Sequence, residues 1–218
     1  NINKVALIRN SRGANMPDIL KVARDCEEFG AEGITVHPRP DERHIRFDDL
    51  QPLKEVVKTE FNIEGYPSSY FIEQVLMVKP HQVTLVPDGP DALTSNAGWN
   101  TVEKLVFLTE VVKVFKSAGI RTSLFIDPNV KMLEGAAKIG TDRIEFYTGP
   151  YAHDFMKDKV QAINPFVEAA HIANELQLGI NAGHDLNLDN LCYFKNQIPR
   201  LLEVSIGHAL ICDAMYMG

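Results

Sequence analysis

The densest group of residues able to move protons or hold an anion lies in GITVHPRPDERHI, residues 33 to 45. Ile34, Thr35 and Val36 read as a short buried strand, and the chain leaves it through His37, Pro38, Arg39 and Pro40. Two prolines two positions apart can continue neither a ladder nor a helix, so the segment is expected to be an ordered loop. It carries His37, Arg39, Arg43 and His44, a set suited to proton transfer and to gripping a phosphate or carboxylate.

The elements that position this loop follow from a repeated pattern. A helix opening at Pro17 and Asp18 runs to Gly30, with Ile19, Val22, Ala23 and Cys26 at helical spacing, and a strand follows at 33–37. Helices near 48–58, 69–77, 101–117, 129–138, 164–176 and 187–195 precede the apolar runs FNIEG, QVTLV, RTSLFID, RIEFY, GINAG and LEVSIG. A last helix begins near His208, and Asn1 to about Lys4 reads as the tail of a first strand that Val5 to Ile8 could extend. Eight strand-then-helix units in 218 residues give about 27 residues each, the length a βα unit needs. The expected fold class is therefore α/β, a closed parallel (β/α)8 TIM barrel formed by one domain over 1–218, with ends that look trimmed. A doubly wound open sheet is the structural alternative.

Composition limits the partners. With 45% hydrophobic and 23% charged residues, the chain reads as a globular protein with one large core. Its 22 basic and 29 acidic residues give a net charge of −7, which argues against nucleic acid or an anionic membrane as partner. Anionic small substrates would need local arginines. Cys26, Cys192 and Cys212 lack metal-type spacing and read as reduced core residues. No apolar run approaches membrane-spanning length and no basic leader precedes one, so a cytoplasmic location is expected.

In a barrel, chemistry collects at the carboxyl ends of the strands. Those ends carry Asn3 and Lys4, His37, Glu64, Glu145 with Tyr147, Asn181 followed by His184, and Gly207 with His208. Glu64 lies between Ile63 and Gly65, and an acid flanked by core positions is costly unless it faces a polar cavity. His81 and Arg121 fall at the opposite ends, where a structural role is the better reading, as it is for His171 on an apolar helix face. SIGH at 205–208 offers a glycine-permitted phosphate approach before a helix, although an ordinary turn would look the same. A metal site is an alternative, but no HxH, HxxxH or HxD pair occurs at the strand ends. Lys4 could form a Schiff base or serve as a phosphate charge partner. The long loop after Val86, PDGPDALTSNAGW, could be a lid.

With these residues in view, the chain resembles the pyridoxine 5′-phosphate synthase family. The motifs are NIxxxAxxRNxRG at 1–13, GITVHxRxDxRHI at 33–45, NIE at 62–64, LVP with Thr94 following, IExxTGxYA at 144–152, NAGH at 181–184 and IGHA at 206–209. The resemblance implies a barrel that condenses 1-deoxy-D-xylulose 5-phosphate with 3-amino-2-oxopropyl phosphate, with no metal or organic cofactor, as a homo-oligomer. It implies His37 and Glu64 as proton acceptors, His184 as proton donor and Glu145 as stabiliser of charged intermediates. Arg39, His44 and Thr94 match positions that hold the deoxyxylulose phosphate, and Asn1, Arg12, Gly207 and His208 match those that hold the aminoketone phosphate.

The chain departs from the family pattern at three positions: Asn3 and Lys4 stand in place of Asp and His at deoxyxylulose contacts, and Asp185 in place of Gly at an aminoketone contact. The added positive charge on the first strand leads to the expectation that Asp185 pairs with Lys4. The rival readings are another phosphosugar isomerase or a metal-dependent aldolase on the same fold, and a noncatalytic phosphometabolite-binding barrel.

Overall fold

The computed structural model describes residues 1–89 and 97–217. Helices α1 (Asn3–Asn10) and α2 (Ile19–Glu28) precede strand β1 (Gly33–Val36). The chain continues through α3 (Leu50–Val56), β2 (Glu60–Gly65), α4 (Ser69–Val78), β3 (Gln82–Leu85), α5 (Leu105–Ser117) and β4 (Arg121–Ile126). It closes with α6 (Val130–Ile139), β5 (Arg143–Tyr147), α7 (Gly149–Asp154), α8 (Lys159–Glu175), β6 (Gly179–Gly183), α9 (Leu191–Gln197), β7 (Leu201–Ser205) and α10 (His208–Met217). The strands pair in chain order, each parallel to the next, and form a nearly closed barrel.

Local chemistry accounts for most boundaries. Asp18 accepts from the Leu20 and Lys21 amides, Ser68 from Phe71 and Asn129 from Lys131, so α2, α4 and α6 each start at a capping side chain. Gly140 ends α6 at φ 82°, a backbone angle that costs glycine no steric strain.

One expected strand is absent. Residues Asn3–Asn10 form α1, which buries Val5, Ala6 and Arg9 on one face, the spacing of a helix and not of a strand. Asn1 and Ile2, just before the helix, lie along the seam between β7 and β1. The Asn1 nitrogen donates to the Ile206 carbonyl at 2.9 Å, and the Ile2 amide to the Thr35 carbonyl at 3.2 Å. The described residues thus hold seven strands rather than eight. Lys4 sits in the first turn of a helix and not at a strand end.

Alternation along the strands separates two environments. Ile34, Val36, Phe61, Ile63, Val83, Leu85, Leu124, Ile126, Ile144, Phe146, Ile180 and Ala182 are buried in the core with the helices. The alternate positions point into the barrel and are mostly polar, namely Thr35, Asn62, Glu64, Gln82, Thr84, Ser123, Glu145, Asn181 and Glu203, with Phe125 an apolar exception on β4. Barrels of this class usually fill that space with branched apolar side chains. Here Asn62 bridges Thr35 at 3.3 Å and Thr84 at 3.1 Å, so even the middle of the barrel is hydrogen-bonded rather than greasy.

The cysteines correct a second expectation. All three are free, but Cys192 is exposed and Cys26 and Cys212 are only partly buried, so they are not core residues. Among the described residues, no helix is long and apolar enough to cross a membrane.

Candidate active site

His37 leaves the end of β1, Glu64 sits one residue before the end of β2, and Glu145 lies in the middle of β5. All three are buried, at 6%, 9% and 4% exposure, so each charge would form in a poorly hydrated space. His37 Nδ1 stands 3.8 Å from Glu64 Oε2, near but beyond direct hydrogen-bond reach. Burial, followed by the Arg39 and Arg43 cations, holds the His37 ring well below the usual imidazole range and keeps it neutral. Burial pushes Glu64 up to about 7, against the pull of the surrounding cations. Glu145 is held well above the usual carboxylate range by burial, with the Glu64 and Glu203 charges adding to the effect. Burial thus weakens His37 as a base and raises the pKa of Glu64 as an acid, and the two stand as neighbours in one cavity, a pattern characteristic of proton-transfer sites.

Gly183 makes room for this carboxylate. A Cβ there would lie 2.2 Å from Glu145 Oε1, so a side chain at the end of β6 would displace the acid. The next two residues, His184 and Asp185, adopt φ 88° and 58°, a left-handed pair without glycine. The turn swings the His184 ring edge-on to Tyr147, with 5.3 Å between centroids, and to Phe125 at 6.1 Å. Thr148 holds the turn from below, its hydroxyl on the Gly183 carbonyl at 2.7 Å and also on that of His184. Asp185 approaches His184 Nδ1 at 3.4 Å, and this contact holds its carboxyl below the usual range. The expected Lys4–Asp185 pair is not formed: Asp185 meets the adjacent imidazole, while the Lys4 charge acts on His44 across the barrel mouth.

Arg39 and His44 stand on the loop after β1. Arg39 is buried and donates through Nη2 to Asp88 Oδ2 at 2.6 Å. The His44 ring lies 6.2 Å from that of His37, and its Nδ1 accepts the Ile45 amide at 2.9 Å. A neutral His44 consequently carries its proton on Nε2, and burial with the Arg39, Arg43 and Lys4 charges lowers its pKa to about 4, so it stays neutral through the physiological range.

The remaining expected residues are scattered. Asn3 turns its amide oxygen to the His37 backbone N–H at 2.9 Å. Gly207 packs so closely on Asn1 that a Cβ would lie 2.8 Å from the Asn1 carbonyl, and His208 opens α10, with its Nε2 3.4 Å from Cys212 Sγ. Arg12 is exposed in the turn after α1, away from the buried triad. Thr94, and with it most of the segment read as a lid, lies outside the described residues. Tyr147, read from the sequence as a strand-end residue, lies beside His184. Asp88, Thr148, Arg9 and Asn10 also shape the site and were not singled out as site residues in the sequence. Thr148, Arg9 and Asn10 each stood as a fixed letter in a quoted motif that could have marked them, and Asp88 did not. Among the described residues, no group of three His, Cys, Asp or Glu side chains could hold a metal ion.

The description "Pyridoxal phosphate biosynthesis protein PdxJ" matches residues 1–218. The chain belongs to this family. Among its PdxJ relatives, the pyridoxine 5′-phosphate synthase of Parabacteroides distasonis is 64% identical over 218 residues, all of this chain and 92% of that protein. The synthase of Cytophaga hutchinsonii is 63% identical over the same spans. Solved structures with the same fold include a tetrameric deoxyribose phosphate aldolase from Aeropyrum pernix, with TM-score 0.61 and 14% identity over 92% of this chain and 85% of that one. A putative phosphonomutase from Burkholderia cenocepacia matches with TM-score 0.62 and 11% identity over 91% and 86%. These two likenesses establish the barrel and nothing about the reaction.

Proposed function

We propose that the protein is a pyridoxine 5′-phosphate synthase, joining 1-deoxy-D-xylulose 5-phosphate to 3-amino-2-oxopropyl phosphate with loss of phosphate and water. The observation that carries this reading is the buried His37–Glu64 pair, 3.8 Å apart and with opposed pKa shifts, beside the Glu145 carboxyl. Ring closure needs protons removed and delivered at several carbons, and a cavity lined by several ionisable groups whose protonation is shifted by burial suits that demand.

In this reading the aminoketone nitrogen attacks the deoxyxylulose carbonyl, and water leaves as the imine forms. Neutral His37 and ionised Glu64 take protons from carbon, and His184 returns one to a departing oxygen. Glu145 rests protonated; a cationic imine beside it would lower its pKa, so it ionises as positive charge develops and stabilises that charge. Arg39 and the His44 Nε2–H hold the deoxyxylulose phosphate, with Asp88 sharing Arg39. Asn1, Arg12 and the backbone at Gly207 and His208 receive the aminoketone phosphate, the amides of the first turn of α10 being free to point at an anion.

The test is incubation of the protein with both substrates, following phosphate release and pyridoxine 5′-phosphate together. Stoichiometric release of both from wild type, and neither from His37→Ala, is expected. Binding of both substrates without product would replace this reading with a noncatalytic barrel.

A further inference from the structure

Pro38 and Pro40 deprive the loop after β1 of ladder hydrogen bonds, and one isolated bridge, Pro38 to Ile45, closes it on itself. Its position must therefore be set from outside, and α1 lies along it. At the start of α1, the Asn3 side-chain oxygen accepts the His37 amide at 2.9 Å. At its end, Asn10 Nδ2 faces three successive carbonyls, those of Glu42 at 3.1 Å, Arg43 at 3.2 Å and His44 at 2.7 Å.

Asn10 is itself oriented by Arg9, whose Nε donates to the Asn10 oxygen at 3.0 Å. The Arg9 guanidinium is buried and grips Asp49 with two hydrogen bonds, at 2.7 and 2.8 Å, and places Nη2 on the His44 carbonyl at 3.1 Å. Asp49 also accepts the Arg46 amide at 2.8 Å, so the far side of the loop is tied to the same carboxylate. An eight-residue helix rises about 12 Å, and its first and last residues meet the loop at His37 and at Glu42 to His44.

We propose that α1 is a splint for the 37–44 loop, with Arg9 and Asn10 as positioning residues that set where His44 presents its Nε2–H to the deoxyxylulose phosphate. The inference rests on the reading of His44 as a phosphate contact in the synthase reaction. Its geometry explains why a buried arginine and an asparagine follow one another at the end of a helix whose outer residues, Leu7 and Ile8, are exposed. The hydrogen bonds of both side chains go to each other, to Asp49 and to loop carbonyls. Both act through the carbonyl of His44.

Measuring KM for each substrate separately tests the splint. Asn10→Ala and Asn10→Asp should raise KM for the deoxyxylulose phosphate about tenfold while kcat and KM for the aminoketone phosphate stay within about twofold. Arg9→Lys, which keeps a charge on Asp49 but loses the fork, should give a smaller rise of the same kind. A general loss of folding would move all the constants together, and so would overturn the proposal. Nitrogen-15 histidine NMR gives a readout independent of turnover: in wild type His44 should be the Nε2–H tautomer with a midpoint near 4, and Asn10→Ala should move that midpoint toward the ordinary 6.5. A changed His44 signal in a protein that makes no pyridoxine 5′-phosphate would uphold the splint and reject the substrate. An unchanged signal in Asn10→Ala would reject the splint.

Discussion

Glu60 and Glu64 stand on the same strand, as do Arg143 and Glu145, yet the two ends of the barrel interior treat their charges differently. At the amino end, Arg121 meets Glu60 directly, Glu203 at 3.7 Å and Gln82 at 2.9 Å. Arg143 meets Glu203 and the Asn181 oxygen at 3.3 Å, while Asn181 returns a hydrogen bond to Glu203 at 2.9 Å. Each guanidinium there has carboxylate and amide partners, as befits a structural brace. At the carboxyl end, Glu64 and Glu145 have no arginine within salt-bridge distance among the described residues, and Glu64 has only His37 at 3.8 Å. The comparison teaches that glutamates in the same barrel stand as a brace, or as the proton-transfer groups of the proposed reaction, according to whether a counter-charge is built beside them.

Removing the reagents should produce the largest effects. His37→Ala or Glu64→Gln should lower kcat about a thousandfold, within the range that acid–base groups contribute, with substrate binding largely retained. In wild type, kcat/KM should rise with pH through about 7 as Glu64 ionises to act as a base, and Glu64→Gln should lose that limb. A thousandfold loss from Arg143→Met instead would erase the distinction between the ends.

The stability of the same variant sharpens the comparison. Glu64 has a folded pKa of about 7, above the ordinary 4.5, so the native state binds that proton more tightly than the unfolded chain. Its stabilising contribution is complete below about pH 4.5 and is lost as pH rises through 7. Ionised Glu64 at pH 8 therefore costs about 3 kcal/mol, and Glu64→Gln should be more stable than wild type there by up to that amount in urea titrations, with little gain at pH 4.5. At the amino end the sign reverses. Arg143→Met leaves Glu203 with Arg121 at 3.7 Å and the Asn181 amide, and should cost about 1 kcal/mol of stability while leaving kcat of the folded enzyme within twofold.

Much of this was legible in the sequence because it is local. Helical spacing, caps such as Asp18 and Gly140, and apolar runs of strand length located every strand from β1 to β7. The rule that chemistry sits at strand ends pointed to His37, Glu64 and His184, which lie at or just past the ends of β1, β2 and β6, whereas Glu145, read as a strand-end residue, lies in the middle of β5. The error at Asn3–Asn10 arose because NKVALIRN satisfies both periods: Val5 and Ile8 look like strand residues, and only packing of Val5, Ala6 and Arg9 on one face decides for a helix. Arg39–Asp88 and Arg9–Asp49 were not legible, because partners 49 and 40 residues apart are joined by the fold and leave no spacing signal. Asp185 was flagged as a departure but given the wrong partner, since the left-handed turn at 184–185 directs it to its neighbour.

That turn supplies the smallest expected effect. Asp185 is half exposed and only 3.4 Å from His184, so Asp185→Asn should reduce kcat by no more than about threefold in steady-state assays. A loss beyond a hundredfold would move Asp185 into the group of buried reagents.

Carbon-13 NMR of the glutamate carboxyls across pH 3 to 9 tests the central claim most directly, with Glu64→Gln used for assignment. One carboxyl, absent from Glu64→Gln, should titrate near 7, and a second, that of Glu145, well above the ordinary range, in wild-type protein without substrate. Titration of both below pH 5 would contradict the account, for the carboxyl end of the barrel would then hold carboxylates as settled as any brace and no reservoir of protons for ring closure.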